Sequence, residues 1–135
     1  MALRLTIAAR NAAAGDGTNA GLRAYIGATP ILKIFTGAQP AAVADNPAGT
    51  QLSEHTLAAF GAASSGVITS VNATSDDTAL DTGVAGCWAL YQSNGTTKVC
   101  DGTVGEGSGD ISFDETSIIL GGTVKMGNLA ITVPS

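Results

Sequence analysis

Gly86-Cys87-Trp88-Ala89-Leu90-Tyr91-Gln92-Ser93-Asn94-Gly95-Thr96-Thr97-Lys98-Val99-Cys100 is the stretch on which the reading of this chain turns. Two strand-like runs flank Asn94-Gly95. Asn-Gly in that setting favours a type I′ hairpin, because both central residues of such a turn take positive φ. A two-residue loop pairs Ser93 with Thr96 and Ala89 with Cys100. Cys87 then faces Gly102 and lies diagonal to Cys100 on the same side of the ribbon. A diagonal separation of about 7–8 Å is long for a disulfide. Two free thiols are expected, which suits a reducing compartment. One face of the first strand belongs to a core, so Trp88 or Tyr91 is expected inside.

Outward from the hairpin the texture stays β. Ile31-Leu32-Lys33-Ile34-Phe35, closed by Gly37 and Pro40, reads as a buried strand. Residues 38–49 contain Pro40 and Pro47, each lacking a backbone donor, and read as a loop. Further strands are expected at 50–60, 66–72, 85–92, 97–104, 109–113, 117–120 and 122–133. In the last of these, Val124 and Met126 share one parity, and Leu129, Ile131 and Val133 share the other. A bulge at Gly127-Asn128 would turn both sets to the core. Turn signals recurring every 10–15 residues or so mark an all-β antiparallel sandwich or barrel. Residues 1–28 are Ala-rich and contain Gly15-Asp16-Gly17-Thr18-Asn19; they read as an N-terminal arm or short helix followed by a loop. The expected organisation is an arm over 1–28 and a β-sandwich domain over 29–135.

The composition narrows the function. Only 13% of the 135 residues are charged, against about 25% in ordinary soluble domains. There is one histidine, with two cysteines and 18 glycines. Net charge is −5 and unevenly spread. Residues 1–33 hold Arg4, Arg10, Arg23 and Lys33 against Asp16, giving +3; the remainder holds Lys98 and Lys125 against ten acids, giving −8. An acidic body repels phosphate, so no nucleic-acid partner is expected. No apolar run reaches the roughly 18–20 residues that span a bilayer, so no membrane partner is expected either.

Few candidate sites withstand a physical test. His55 lies in Leu52-Ser53-Glu54-His55-Thr56-Leu57, a strand-like alternation without a nucleophile elbow. The thiols have no second histidine for a Cys-His pair. Gly102-Thr103-Val104-Gly105-Glu106-Gly107-Ser108-Gly109 looks like a phosphate loop, but Asp110-Ile111-Ser112-Phe113 after it reads as a strand rather than a helix, and the Walker lysine is missing. It reads as a loop between strands. Asp76, Asp77 and Asp81, and likewise Asp110, Asp114 and Glu115, lack the ligand spacing of a calcium loop and read as solvated acids. No catalytic, cofactor-binding or metal site is expected.

The order of several short segments resembles a family of small tailed-bacteriophage virion proteins. They are Leu32-Lys33-Ile34-Phe35-Thr36-Gly37-Ala38-Gln39-Pro40, Gly49-Thr50-Gln51-Leu52, and Phe60-Gly61-Ala62-Ala63-Ser64-Ser65-Gly66-Val67. Then come Thr82-Gly83-Val84-Ala85-Gly86-Cys87-Trp88, Asp101-Gly102-Thr103-Val104-Gly105, Thr116-Ser117-Ile118 and Ile131-Thr132-Val133-Pro134. The resemblance implies a capsid cement or decoration protein: a jelly-roll-like β-sandwich on the exterior of an HK97-type shell, made in the bacterial cytoplasm. It implies the major capsid protein and neighbouring copies of the chain as partners. The basic arm, with Leu3, Arg4, Leu5, Ile7 and Arg10, is the expected part of the shell contact. The alternative is a phage tail or adhesin-type binding module, which would need exposed aromatic residues that are scarce here.

Overall fold

The computed structural model describes residues 3–15, 17, 21–62, 64–65, 67–69, 77–106, 111–113, 116–124 and 130–132. Along the chain these form β1 (Arg4–Leu5), α1 (Ile7–Ala14), α2 (Leu22–Ile26), β2 (Ile31–Thr36), β3 (Gln51–Thr56), β4 (Val67–Thr69) and β5 (Asp77–Thr78). β6 (Gly83–Tyr91), β7 (Lys98–Glu106), β8 (Ile111–Phe113), β9 (Ser117–Ile118), β10 (Thr123–Val124) and β11 (Ala130–Thr132) follow. The fold is mostly antiparallel β-sheet with few helices, as expected. The main sheet is open and runs β1-β7-β6-β2-β3, with β9 added to β6 and β8 added in parallel to β7. Two small ribbons, β10–β5 and β11–β4, stand apart from it.

The central hairpin β6–β7 is present, but its turn and register differ from expectation. Gly95 donates its N–H to the Gln92 carbonyl and sits at φ 73°, whereas Asn94 keeps a negative φ. This is a type I turn followed by a left-handed glycine. Asn94 selects it, because its side-chain oxygen accepts the backbone N–H groups of Thr96 and Thr97. Tyr91 pairs with Lys98 as a two-residue loop would have it. The register then shifts, so Leu90 faces Cys100 and Ala89 faces Asp101. The expected pairing of Ala89 with Cys100 is therefore off by one. Val99 is the extra residue, and Cys87 pairs with Thr103, not Gly102. One consequence is that the two cysteines face opposite sides of the sheet.

Similar shifts occur twice more. Phe35 pairs with Cys87 and Thr36 with Ala85, which leaves Gly86 as the extra residue in β6. Ile34 pairs with Ser53 and Phe35 with Gln51, which leaves Leu52 extra in β3. Each bulge lets neighbours of opposite parity share one side. Val99 and Cys100 both lie in the main core, and Leu52 and Ser53 are both fully buried. Gly86 has a further role. A Cβ there would strike the Gly37 carbonyl, so only glycine lets the two backbones approach.

The main core lies on one side of the sheet. Leu32, Ile34, Trp88, Leu90 and Cys100 point into it from the strands, and α1 and α2 cover it with Ala9, Leu22 and Ile26. Thr6 caps α1, its Oγ accepting the Ala9 N–H at 3.3 Å, and Gly15 ends the helix at φ 92°. The run Ile7-Ala8-Ala9-Arg10-Asn11-Ala12-Ala13-Ala14 is rich in alanine, the best helix former. α2, between Gly21 and Gly27, was not expected from the sequence. Ile68, Ile131 and Val124 of the small ribbons close the core.

Other sequence expectations fare unevenly. Residues 38–49 form no strand, as the prolines require. Gly102–Glu106 belong to β7 rather than to a loop. The expected strand at 117–120 stops at Ile118, because Ile119–Gly122 make a tight turn with Gly121 at φ 79°. Within the strand expected over 122–133, the described residues are β10 and β11, which pair with different strands. The bulge expected at Gly127-Asn128 lies outside the described residues, as do Asp76, Asp110, Asp114 and Glu115.

Candidate functional site

The side of the sheet opposite the main core carries a small apolar cluster of Phe35, Cys87, Ala89 and Tyr91. Beside it lies Asp101, whose carboxylate is fully buried. Such a charge is tolerated only when it is paired and hydrogen-bonded. Arg4 supplies the first pair: Nε donates to Oδ1 at 3.0 Å and Nη2 to Oδ2 at 2.8 Å. Lys98 Nζ donates to Oδ2 at 2.8 Å, and Gln39 Nε2 to Oδ1 at 2.7 Å. Burial pushes the Asp101 carboxyl up, but the hydrogen bonds from Arg4, Lys98 and Gln39 outweigh it and hold the group below the usual carboxylate range.

These same donors fasten the loop 37–49 across the sheet. Arg4 also donates to the carbonyls of Ala41, at 2.9 Å, and Pro40, at 2.7 Å. Lys98 reaches the Asp45 carbonyl, and the Tyr91 hydroxyl donates to Asn46 Oδ1 at 2.8 Å. The loop is thus a strap whose backbone carbonyls are held by the cations that neutralise Asp101. Next to the strap is a shallow cleft of about 300 Å³, lined by Lys33, Asn46, Gln51 and Tyr91 among others. Lys33 lies 4.8 Å from the centre of the Tyr91 ring and donates to the Gly95 carbonyl at 3.0 Å.

The residues expected to contact a partner divide into two groups. Arg4 and Leu5 form β1 on the edge of β7, and Arg4 turns its guanidinium into the fold. Leu3 and Leu5 pack against the main core. Ile7, at 66% exposure, and Arg10 lie on the outer surface of α1. The arm is thus knitted to the body, and its available surface is that of the helix.

The residues with chemical potential lie inside. Ser53 Oγ and His55 Nε2 share a hydrogen bond of 3.0 Å, the distance a nucleophile and its base would need. Both side chains are fully buried on the core side of β3, so the pair is out of a substrate's reach. Sequence reasoning found His55 but missed its partner, although Ser53 and His55 share a face at spacing i, i+2. Cys87 and Cys100 form no disulfide, and both are buried. Burial first, and then the charge of Asp101, raise the Cys87 thiol, which therefore stays protonated. Phe35, Phe60, Trp88 and Tyr91 are all buried and offer no stacking platform. Among the described residues no group of three or more His, Cys, Asp or Glu side chains could hold a metal ion, and no helix is long and apolar enough to cross a membrane.

What the surface does present is apolar. Leu80, Val84, Ile119 and Leu120 are 53–70% exposed. They gather at one corner, where Gly83 and Val84 pair with β9, the Ala79 N–H is donated to the Gly122 carbonyl and the Leu120 N–H to Thr82 Oγ1. The signal was visible in Ile118-Ile119-Leu120-Gly121-Gly122: three apolar residues before a Gly-Gly turn cannot all face inward. No protein-family model matches the chain, and neither a curated protein nor a solved structure matches it.

Proposed function

We propose that this chain is a bacteriophage virion structural protein, a capsid cement or decoration protein that binds the outer surface of the head and stabilises the shell. The observation that carries the reading is an inversion of the usual enzyme surface. Ser53, His55, Cys87, Cys100 and Asp101 are buried, while Ile7, Leu80, Val84, Ile119 and Leu120 face solvent. Exposed apolar groups suit contact with other proteins. The family resemblance supplies the identity of the surface contacted, the major capsid protein, with neighbouring copies alongside.

Physically, such a protein bridges adjacent capsomers and adds interface that is lost when the shell comes apart. Each contact can be modest, because simultaneous engagement multiplies it. The fold suits the role if the ribbons β4–β11 and β5–β10 act as the second layer of a jelly-roll-like sandwich. Buried cysteines that form no disulfide fit assembly in a reducing bacterial cytoplasm. No nucleic acid, membrane or cofactor enters the reading.

The test is to add purified protein to expanded shells that lack it and to image the particles. Binding at symmetric positions on the exterior, with a higher temperature of shell rupture, is the expected result. Failure to bind shells, together with binding to host cells, would replace this reading with the tail or adhesin one.

A further inference from the structure

Among the described residues five large apolar side chains are exposed, and they fall into two groups. Four form the corner of Leu80, Val84, Ile119 and Leu120. The fifth is Ile7, at the start of α1, with Arg10 one turn further along the same exposed surface.

Strand register places the two groups at opposite ends of the sheet. Val84 is at the first end of β6 and Tyr91 at the other, about 23 Å away at the usual rise of a strand. Leu5 pairs with Cys100, and the Thr6 N–H is donated to the Val99 carbonyl, so Ile7 follows at the Tyr91 end. The ends also differ in charge. α1 carries Arg10 and no acidic residue. At the corner Asp81 is exposed beside Leu80, and the described residues 78–84 and 116–124 carry no lysine or arginine. Apolar matter rimmed by opposite charges at opposite ends is complementary within one kind of molecule.

We infer that copies of this chain associate head to tail, Ile7 and Arg10 of one copy seating on the acid-rimmed corner of Leu80, Val84, Ile119 and Leu120 of the next. A heterologous contact of this kind generates a ring when its rotation closes and a filament when it does not. The inference names the surface for the contact between copies in the proposed function and rests on that reading only there. Its test uses protein in solution without shells, so the two can fail separately.

Sedimentation velocity across a concentration series tests it, with Ile7→Asp blocking one end and Ile119→Asp the other. Both side chains are mostly exposed, and a thermal melt checks that each variant keeps its fold; Leu120→Asp replaces Ile119→Asp if needed. Wild type should self-associate, and each variant alone should do so about tenfold less tightly or not at all. An equimolar mixture of the two variants should form a capped dimer, because each retains the end that the other lacks. Monomeric wild type at high concentration, unimpaired association of either variant, or a mixture without dimers would each overturn the inference.

Discussion

Arg4 and Asp101, ninety-seven positions apart, are joined by two parallel hydrogen bonds of 3.0 and 2.8 Å. A guanidinium is the cation best matched to a carboxylate in this bidentate manner. The same guanidinium holds the Pro40 and Ala41 carbonyls, so one side chain fastens both the edge strand and the strap.

Arg4→Ala should therefore destabilise the fold by about 3 kcal/mol, the low end for breaking a buried pair, because Lys98 and Gln39 still face Asp101. Arg4→Lys should recover only part of the loss, since the second hydrogen bond is gone. Urea denaturation measures both. Arg10→Glu should leave stability unchanged and weaken attachment to shells, a contrast that separates a fold residue from a contact residue.

Asp101 also makes stability depend on pH. Its carboxyl titrates lower in the fold than in the unfolded chain, so the stabilisation is complete above the unfolded value and is lost as pH falls through the folded one. Acid should cost up to about 1.4 kcal/mol per pH unit for this single proton. Asp101→Asn should be less stable at neutral pH and show a flatter profile in that acidic window. Equal slopes for the two proteins would refute the assignment.

The thiols give a third prediction. Cys87 lies in the strap-side cluster and Cys100 in the main core, both buried. A thiol reagent should find almost nothing in native protein and both groups after denaturation. Reductant should leave the melting temperature unchanged, because no disulfide bridges opposite sides of a sheet.

Gly86→Ala should cost about 1–3 kcal/mol, the usual range for overpacking, because its methyl meets the Gly37 carbonyl at the bulge. Gly17→Ala meets no atom nearby, but its left-handed φ of 80° should still cost a smaller amount. Thermal melts of the two variants rank these effects.

Ser53→Ala removes the hydroxyl that shares a fully buried hydrogen bond with His55 Nε2. A loss of about 1–3 kcal/mol is expected, measured by chemical denaturation.

The strands were legible in the sequence because period and punctuation agree: β2 between Pro30 and Gly37, the β6–β7 pair about Asn94-Gly95, and a strap carrying Pro40 and Pro47. Register was not. A bulge at Val99 leaves no compositional mark, yet one extra residue moves Cys100 to the other side of the sheet. The logic of a bulge that turns both parities inward, expected at Gly127-Asn128 outside the described residues, operates at Leu52 and Val99. α2 spans only five residues, too few for a helical period to show. Nothing in the sequence marks Asp101 as a buried acid, because its partners Arg4 and Gln39 are distant along the chain. Of the expected contact residues, Ile7 and Arg10 are outward, and the exposed corner at Ile119 was readable only as a run too apolar for its turn.

The strap clamp sets a timetable for synthesis. Arg4 leaves the ribosome long before Asp101, so β1 and α1 must wait, undocked, while β2, β3 and β6 are made. Contacts so distant along a chain are slow to close. Residues 4–14 are made before the sheet yet settle late, and an eight-residue helix is too short to hold its shape alone, so α1 forms as it docks. Newly made chains should pass through a stage in which the sheet has formed and its edge is still open, when a fresh copy is most exposed to mispairing with its neighbours on a crowded polysome.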